Sequence, residues 1–145
     1  MHVVRQLLDR KGRSVHGIGP DATVFEALEI MAKHDVGALV VLDAQGELVG
    51  VVSERDYARK VVLKGRVSKD MPVREIMATG VVCVNSNQTE QGCMALMTQH
   101  RVRHLPVIDD GRLVGIISIG DVVSAIIEDQ QFTIEQLEHY ISGSR

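Results

Sequence analysis

Apolar residues along the chain follow two periods, one typical of helices and one typical of strands. After Thr23, apolar positions recur at spacings of three and four, which predicts an amphipathic helix that ends at Gly37. Thr23 and Glu26 have the spacing of a capping box at its start. Two short apolar runs follow at 38–42 and 48–53, and the turn residues between them predict a β-hairpin. The predicted buried face of the helix consists of Val24, Ala27, Leu28, Met31 and Ala32.

The same order of elements occurs twice, and a short motif marks each copy. A glycine, two β-branched residues, a serine and an aspartate end a predicted strand and open a helix, and this motif recurs at an offset of 65 residues. Upstream of the hairpin turn the offset is 66, because the second turn is one residue shorter. Such self-similarity indicates a tandem duplication. The motif residues are Gly50, Ser53 and Asp56 in the first copy and Gly115, Ser118 and Asp121 in the second.

We predict an α+β fold with tandem β-α-β-β-α repeats packed as a pseudo-two-fold pair, because one such repeat alone is marginally stable. In the second repeat we expect strands at 81–84, 105–108 and 113–118, and a helix opens at each motif aspartate. A separate terminal helix is expected at 133–141, and the last four residues are expected to be disordered. The expected segments are an N-terminal helix and linker at 1–14, the first repeat at 15–63, a linker with a short helix at 64–80, the second repeat at 81–128, and a C-terminal helix and tail at 129–145.

Composition narrows the function classes. Aromatic residues make up 3% of the chain and the net charge is −3, which disfavours base stacking and binding to nucleic acid. No apolar run approaches the roughly 18–20 residues of a membrane span. The N-terminus lacks the features of a signal peptide, so we expect a cytoplasmic protein. Cys83 and Cys93 have neither disulfide nor metal spacing and are predicted to be small buried residues.

The two motif corners carry the candidate chemistry. Free backbone N–H groups at a strand-to-helix junction, together with a hydroxyl and a carboxylate, suit a polar ligand that carries phosphate and a diol. Asp56 and Asp121 are also explained as helix caps, which is compatible with binding. His100 and His104 have helical spacing, but no third ligand is evident, so no metal is expected.

Each repeat resembles the cystathionine β-synthase (CBS) domain, and the pair resembles a Bateman module of the stand-alone bacterial type. The resemblance covers the chain from Val15 to about Ile127. It rests on the two motifs, on the sequence Val-Arg-His-Leu-Pro-Val at 102–107, on Val-Arg-Glu-Ile-Met in the linker at 73–77, and on the segment 53–60.

The resemblance implies an adenosine nucleotide bound between the two lobes, with AMP as the first choice and ADP, ATP or NAD(H) as alternatives. It implies that Asp56 and Asp121 accept hydrogen bonds from ribose hydroxyls, and that Ser53 and Ser118 touch ribose or phosphate. Adenine is expected at the backbone of the first strand of each lobe and against apolar side chains, and phosphate at a basic pair before the hairpin. The remaining implied residues are His16 and Val82 for the backbone contacts, Val36, Val102 and Ile116 for the apolar contacts, and Arg103 and His104 for phosphate.

The two copies differ at the phosphate positions. Gly37 and Ala38 stand where the first repeat would carry the basic pair, and Gly120 stands where the second repeat would carry the counterpart of Arg55. We therefore expect one tight nucleotide site and one weak or different site, with Arg55 joining the basic pair of the second repeat on one phosphate cluster.

The function predicted from the resemblance is regulation rather than catalysis. A bound nucleotide would shift the population of lobe arrangements, and a second subunit or an unidentified effector protein would sense it. We expect a homodimer formed through the helices after the motif aspartates, and no nucleic-acid or membrane partner. One alternative is a small nucleotide-processing enzyme, although no P-loop, nucleophile elbow or His-Glu-x-x-His motif is present. Another is an interaction protein whose clefts have lost their ligand. Lys11 and Arg13, before the first strand, are further candidates for phosphate contact.

Overall fold

The computed structural model describes residues 1–143, which form two compact units. We call Ser14–Val81 the first-repeat unit, and Met1–Arg13 together with residues 82–143 the second-repeat unit. Both mix helices with small sheets, so the α+β prediction is confirmed. In chain order the elements are α1 (Val4–Lys11), β1 (Gly17–Ile18), α2 (Val24–His34), β2 (Ala38–Leu42), β3 (Leu48–Ser53), α3 (Glu54–Tyr57), a π-helical turn (Ala58–Val62), a 3-10 turn (Val73–Glu75), α4 (Glu90–His100), β4 (His104–Asp109), β5 (Arg112–Ser118) and α5 (Ile119–Gly143).

The first-repeat unit is built on a three-stranded sheet in the order β1-β2-β3. β1 pairs in parallel with β2, and β2 pairs antiparallel with β3, which confirms the predicted hairpin. The predicted capping box is present on α2, where Glu26 N donates to Thr23 Oγ1 at 3.1 Å. The helix ends before Gly37, because Asp35 adopts the left-handed conformation with φ of 53°, which aspartate tolerates. Ala32, predicted on the buried face, is exposed.

Part of the linker completes the core of the first-repeat unit. Met71, Val73 and Ile76 are buried with the apolar face of α2 and the inner face of the sheet. The predicted short helix at 73–77 is a single 3-10 turn, and the chain then extends, so that Ala78 pairs with Val51 of β3.

The second-repeat unit has a two-stranded antiparallel sheet of β4 and β5. The strand predicted at 81–84 is wrong, since only Val84 forms a bridge, which pairs it in parallel with Val107. Pro106 explains the difference. At the matching place in the first repeat, Val40 N donates to the carbonyl oxygen of His16 at 3.2 Å, whereas proline has no N–H and cannot continue a ladder.

The N-terminal helix α1 packs on β5 and α5 of the second-repeat unit. Its residues Val4, Leu7 and Leu8 are buried in that core. The remaining core includes Cys93, as predicted, whereas Cys83 is exposed because its segment runs outside the sheet.

α5 is one continuous helix of 25 residues rather than the two predicted helices. The expected disorder at 142–145 is wrong for residues 142–143, which are helical, and residues 144–145 lie outside the described part of the chain. The helix carries exposed apolar side chains, among them Phe132 and Leu137. Within residues 1–143, none of the helices is both long enough and apolar enough to cross a membrane.

Candidate functional site

The second motif forms a strand-to-helix corner in the second-repeat unit. β5 ends at Ser118, and Asp121 is the third residue of α5 rather than its first. Ser118 N donates to Asp121 Oδ2 at 2.8 Å, and Asp121 N donates to Ser118 Oγ at 3.2 Å. These bonds satisfy amides that a helix start leaves without partners and fix the carboxylate in place. Of the described residues, none donates a hydrogen bond to the other carboxylate oxygen, Oδ1.

The first motif forms the same corner in the first-repeat unit. Ser53 N donates to Asp56 Oδ2 at 2.9 Å, and Asp56 N donates to Ser53 Oγ at 3.2 Å. The helix that follows differs, because the four residues of α3 lead into a π-helical turn closed by a bond from Leu63 N to the carbonyl oxygen of Ala58. The two motif aspartates therefore share the same pair of serine–aspartate backbone bonds, and Ser53 Oγ donates a further bond to Asp56 Oδ2 at 3.1 Å.

A lysine from outside the motif reaches each motif aspartate. Lys11 Nζ lies 2.6 Å from Asp121 Oδ2, and Lys60 Nζ lies 3.1 Å from Asp56 Oδ1. Each lysine also donates to a backbone carbonyl oxygen near its corner. The two lysines are not counterparts in the duplication, because Lys11 precedes the first repeat and Lys60 follows the first motif. Each motif aspartate therefore pairs with a lysine, but the two lysines come from non-equivalent positions of the chain.

The sequence indicates the ion pair with the motif aspartate for only one of these lysines. Lys60 follows Asp56 by four residues, the spacing of an ion pair along a helix. Lys11 was a candidate for phosphate contact, but its place at Asp121 depends on the packing of α1. Arg13, the second such candidate, pairs instead with Asp9 at 2.5 Å.

The predicted basic pair stands beside Ser118 in the second-repeat unit. His104 is the register partner of Ser118 between β4 and β5. The carbonyl oxygen of Arg103 accepts from Ile119 N at 2.8 Å, which ties the residue before β4 to the start of α5. Arg103 is exposed and His104 is half-buried. Ser118, Asp121 and the basic pair therefore share one corner.

The equivalent positions in the first-repeat unit hold no cation. Ala38 is the register partner of Ser53, and the carbonyl oxygen of Gly37 accepts from Glu54 N at 3.1 Å. The backbone is the same as in the second corner, while the side chains are absent or buried. Arg55 is half-buried in α3 of this unit. Its meeting with the basic pair of the second repeat stays a prediction.

The residues expected near adenine lie beside the sheet of each unit. The carbonyl oxygen of His16 accepts a hydrogen bond from Val40 N of β2. The carbonyl oxygen of Val82 has no such bond from Pro106, because proline has no N–H. The His16 ring stacks on that of His34, with centroids 3.8 Å apart. The pKa of His34 lies below its usual value, mainly because of desolvation and secondly because of the neighbouring His16. The apolar candidates are all half-buried, namely Val36, Val102 and Ile116.

Each motif glycine allows a segment from outside the hairpin to lie against the strand. A Cβ atom on Gly50 would stand 2.7 Å from Met77 Sδ, and one on Gly115 would stand 2.6 Å from Leu8 Cδ2. Distances under about 3 Å are repulsive for such atoms. The linker in the first-repeat unit and α1 in the second therefore occupy matching places, and α1 brings Lys11 to its corner.

Comparison with known proteins identifies both repeats. The sequence profile of the CBS domain matches residues 4–63 and 73–128. The mitochondrial CBS domain-containing protein CBSX3 of Arabidopsis thaliana is 38% identical over 97% of this chain and 72% of its own length. The CBS domain-containing protein YhcV of Bacillus subtilis is 38% identical over 79% of this chain and 80% of its own length. Both relatives are named for their CBS domains rather than for an enzymatic activity.

A solved structure agrees with these relatives. A protein with CBS domains from Burkholderia ambifaria MC40-6 is 49% identical and superposes with a TM-score of 0.83, over 91% of this chain and 98% of its own. The sequence motifs, the two repeated corners and these likenesses lead to the same assignment. The chain belongs to the CBS-domain family and carries two CBS repeats.

Proposed function

We propose that this chain is a regulatory module that binds an adenosine nucleotide at the Asp121 corner, with AMP preferred and ADP, ATP and NAD(H) as the next candidates. The observation that carries the proposal is the fixed carboxylate of Asp121. Its Oδ2 is held by Ser118 N and Lys11 Nζ, and its Oδ1 faces no donor from residues 1–143.

The carboxylate suits the ribose. An ionised carboxylate only accepts hydrogen bonds, and its two oxygens offer about four lone-pair sites. The 2′- and 3′-hydroxyls of a ribose present two adjacent O–H donors, and bonds from such donors to a charged acceptor are short and strong. Oδ1 can take one hydroxyl directly, and Oδ2 can take the other once Lys11 Nζ turns from the carboxylate toward the phosphate.

The cations of the same unit suit a phosphate. Lys11 lies at the carboxylate, and Arg103 and His104 lie beside Ser118. Because Arg103 is exposed and Lys11 is partly exposed, both can turn toward a ligand without leaving a buried charge. The first-repeat corner has Lys60 but neither basic residue of the pair, so we propose that it binds nucleotide more weakly.

The apolar and backbone groups of the second-repeat unit suit the base. Val102 and Ile116 are half-buried and offer aliphatic surface. Pro106 leaves the carbonyl oxygen of Val82 without the strand partner that His16 has in the first repeat. A carbonyl oxygen of this kind can accept from the exocyclic amine of adenine.

The fold holds adenosine-containing ligands in another protein. The CBS domain pair of the protein MJ0100 was solved in complex with 5′-methylthioadenosine and S-adenosyl-L-methionine, and it superposes on this chain with a TM-score of 0.76 at 24% identity. Identity at this level supports the shared fold alone. For this chain, the ligand is proposed from the residues of the Asp121 corner. A nucleotide that binds one conformation better than another shifts the population toward it, and an effector protein senses the shift.

A homodimer is part of the proposal. Both helical segments after the motifs carry exposed aliphatic side chains, which isolated monomers rarely group together. In the first-repeat unit these are Val62 and Leu63, and in the second they are Val123 and Ile127. We propose that a second copy covers these residues.

Calorimetry with a set of three ligands tests the nucleotide proposal. Nucleotide-free protein is titrated with AMP, with 2′-deoxy-AMP and with adenosine. Loss of one hydroxyl removes a charge-assisted bond worth about 1.5–3 kcal/mol, so 2′-deoxy-AMP should bind roughly tenfold or more weakly than AMP. Adenosine should also bind more weakly, because it lacks the phosphate. Equal affinities for AMP and 2′-deoxy-AMP would rule out the ribose contact.

A further inference from the structure

A buried carboxylate lies in the second-repeat unit, outside the motif corners. Glu90 is the first residue of α4, and its side chain has no exposed surface. Neither Oε1 nor Oε2 has a hydrogen-bond partner within the described part of the chain. Burial of a charged group without pairing is strongly unfavourable. The buried charge of Glu90 therefore has to be balanced by a cation or removed by a proton.

Two further ligand-type groups converge on Glu90. His2 Nδ1 lies 3.6 Å from Glu90 Oε2 and 2.9 Å from Asp129 Oδ1, and one ligand atom from each residue lies within 4.8 Å of the others. The close approach of Nδ1 to Oδ1 is an ion-pair contact, and a metal ion bound to both atoms would take the place of the proton on Nδ1. Ligand atoms about 2.0–2.1 Å from a tetrahedral ion are about 3.3 Å apart, a value that lies between the two distances from His2 Nδ1, 2.9 and 3.6 Å.

We propose that His2, Glu90 and Asp129 bind a divalent transition-metal ion, with Zn²⁺ as the expected ion. One imidazole nitrogen and two carboxylates form a donor set that suits Zn²⁺, whereas Mg²⁺ and Ca²⁺ prefer oxygen ligands alone. With three protein ligands, a water molecule completes the tetrahedron. No spacing in the sequence indicates this site, because its members come from three distant segments.

Backbone hydrogen bonds hold the N-terminal segment beside the start of α4. Glu90 N donates to the carbonyl oxygen of His2 at 2.9 Å, and Val3 forms an antiparallel bridge with Thr89. Asp129 approaches from α5. An ion bound here would tie the N-terminal segment to α4 and α5. Glu90 and Asp129 also border a groove of about 390 Å³.

Two cations already face the cluster and must be compatible with it. Arg10 Nη2 lies 3.1 Å from His2 Nε2, and the Met1 ammonium lies 3.4 Å from Asp129 Oδ2. When Nδ1 binds a metal, Nε2 carries the ring proton, so Arg10 must turn away. Arg10 already pairs with Glu128 and can keep that contact. The Met1 ammonium contacts Oδ2, which leaves Oδ1 to the ion.

A shared proton is the competing account. In the absence of a cation, burial raises the pKa of Glu90, with Asp129 as the second cause. A protonated Glu90 could then donate to Asp129 without any metal. A glutamine at position 90 mimics the protonated acid, so Glu90→Gln should keep the fold under either account. Only under the metal account does it lose Zn²⁺.

Zinc titration of chelator-treated protein, with any affinity tag at the C-terminus, separates the two accounts. We expect one Zn²⁺ per chain by calorimetry and elemental analysis, a higher melting temperature with Zn²⁺ than with EDTA, and no such effect of Mg²⁺. Co²⁺ should give the visible absorption of a tetrahedral site. His2→Gln and Glu90→Gln should each weaken Zn²⁺ binding roughly tenfold or more.

The control variants are Glu135→Gln and His139→Gln, which change the same residue types at exposed positions of α5. They should bind Zn²⁺ like the unmodified chain. The proposal is overturned if Zn²⁺ does not bind stoichiometrically, if binding survives in both ligand variants, or if Mg²⁺ is bound and Zn²⁺ is not. The readouts need no nucleotide, so they are independent of the function proposed above.

Discussion

Lys11 Nζ donates to Asp121 Oδ2 at 2.6 Å, which joins α1 to the motif corner of the second repeat. The same carboxylate caps α5 through Ser118 N. A cation at this place neutralises the carboxylate in the unliganded protein and stands within reach of a phosphate when a ribose takes over the carboxylate. The N-terminal helix is therefore both part of the core and part of the proposed nucleotide site.

The Lys11→Met variant tests this double role. Loss of one partly exposed cation should weaken AMP binding by about 1 kcal/mol, or roughly fivefold. Adenosine binding should stay the same or improve, because the ammonium no longer competes for the carboxylate. Calorimetry with both ligands measures the ratio. Lys33→Met, on the exposed side of α2, is the matched control and should change neither affinity. An equal loss for AMP and adenosine would contradict a phosphate role for Lys11.

The contact between Gly115 and Leu8 predicts a coupled pair of substitutions. Gly115→Ala would place a Cβ atom 2.6 Å from Leu8 Cδ2 and should lower the free energy of unfolding by about 1–3 kcal/mol. Leu8→Ala alone should also destabilise, because it empties a buried position. The double variant should lose less than the sum of the two, since the smaller side chain relieves the overlap.

Chemical denaturation measures these four proteins. Gly19→Ala is the control, because a Cβ atom there meets nothing within 4 Å and the glycine has no positive φ. Strict additivity of the two losses would show that Leu8 does not limit the space at Gly115.

The two cysteines should differ in reactivity. Cys93 is fully buried, and burial raises the pKa of its thiol to about 11. Desolvation also raises the pKa of Cys83, but that residue is exposed, so a reagent can reach its thiol. Because the thiolate is the reactive form, a disulfide reagent at pH 8 should modify one thiol in the native protein and two in denaturant. Cys83→Ser should abolish the native reaction. Rapid native modification of Cys93 would show that its part of the core opens readily.

The raised pKa of Cys93 also makes the free energy of unfolding depend on pH. The buried thiol is protonated in the folded chain up to about pH 11, while an unfolded cysteine ionises near pH 8.5. Its contribution is therefore complete below about pH 8.5 and is lost as the pH rises toward 11. Cys93→Ala should flatten this part of the profile of unfolding free energy against pH.

If the proposed dimer forms, a charged substitution in its interface should halve the mass of the particle in solution. Ile127 is 58% exposed and follows the second motif on α5. Ile127→Glu should convert a dimer to a monomer in light scattering after gel filtration, because a charge would be buried against the second copy. Gln136→Glu adds the same charge at an exposed position half a turn of helix away from the face of Ile127, and it should leave the mass unchanged. A monomeric unmodified chain would exclude the dimer at the concentration measured.

Local patterns predicted the hairpin and the corners well. The first hairpin has its predicted bounds, because its apolar runs are separated by a clear turn, and the repeated motif marked both corners. The prediction of a strand at 81–84 was wrong because Pro106, which is distant in sequence, lacks the N–H that would pair with this segment. The single helix α5 was missed because the polar residues 128–131 interrupt its apolar pattern.

Long-range contacts explain what else was missed. The role of Lys11 depends on α1 packing against β5, and the cluster of His2, Glu90 and Asp129 depends on three segments that meet only after folding. Neither has a local spacing for a pattern to detect. The roles of the predicted nucleotide contacts stay predictions, although the structure fixes the local geometry of Ser118 and Asp121.

The most direct measurement is AMP calorimetry on Asp121→Asn beside Asp56→Asn. Asparagine keeps an oxygen for the helix cap but removes the charge, so both variants should fold. The account predicts that Asp121→Asn binds AMP roughly tenfold or more weakly, while Asp56→Asn changes the affinity of the tight site little. Unchanged AMP affinity in folded Asp121→Asn protein would contradict the central claim.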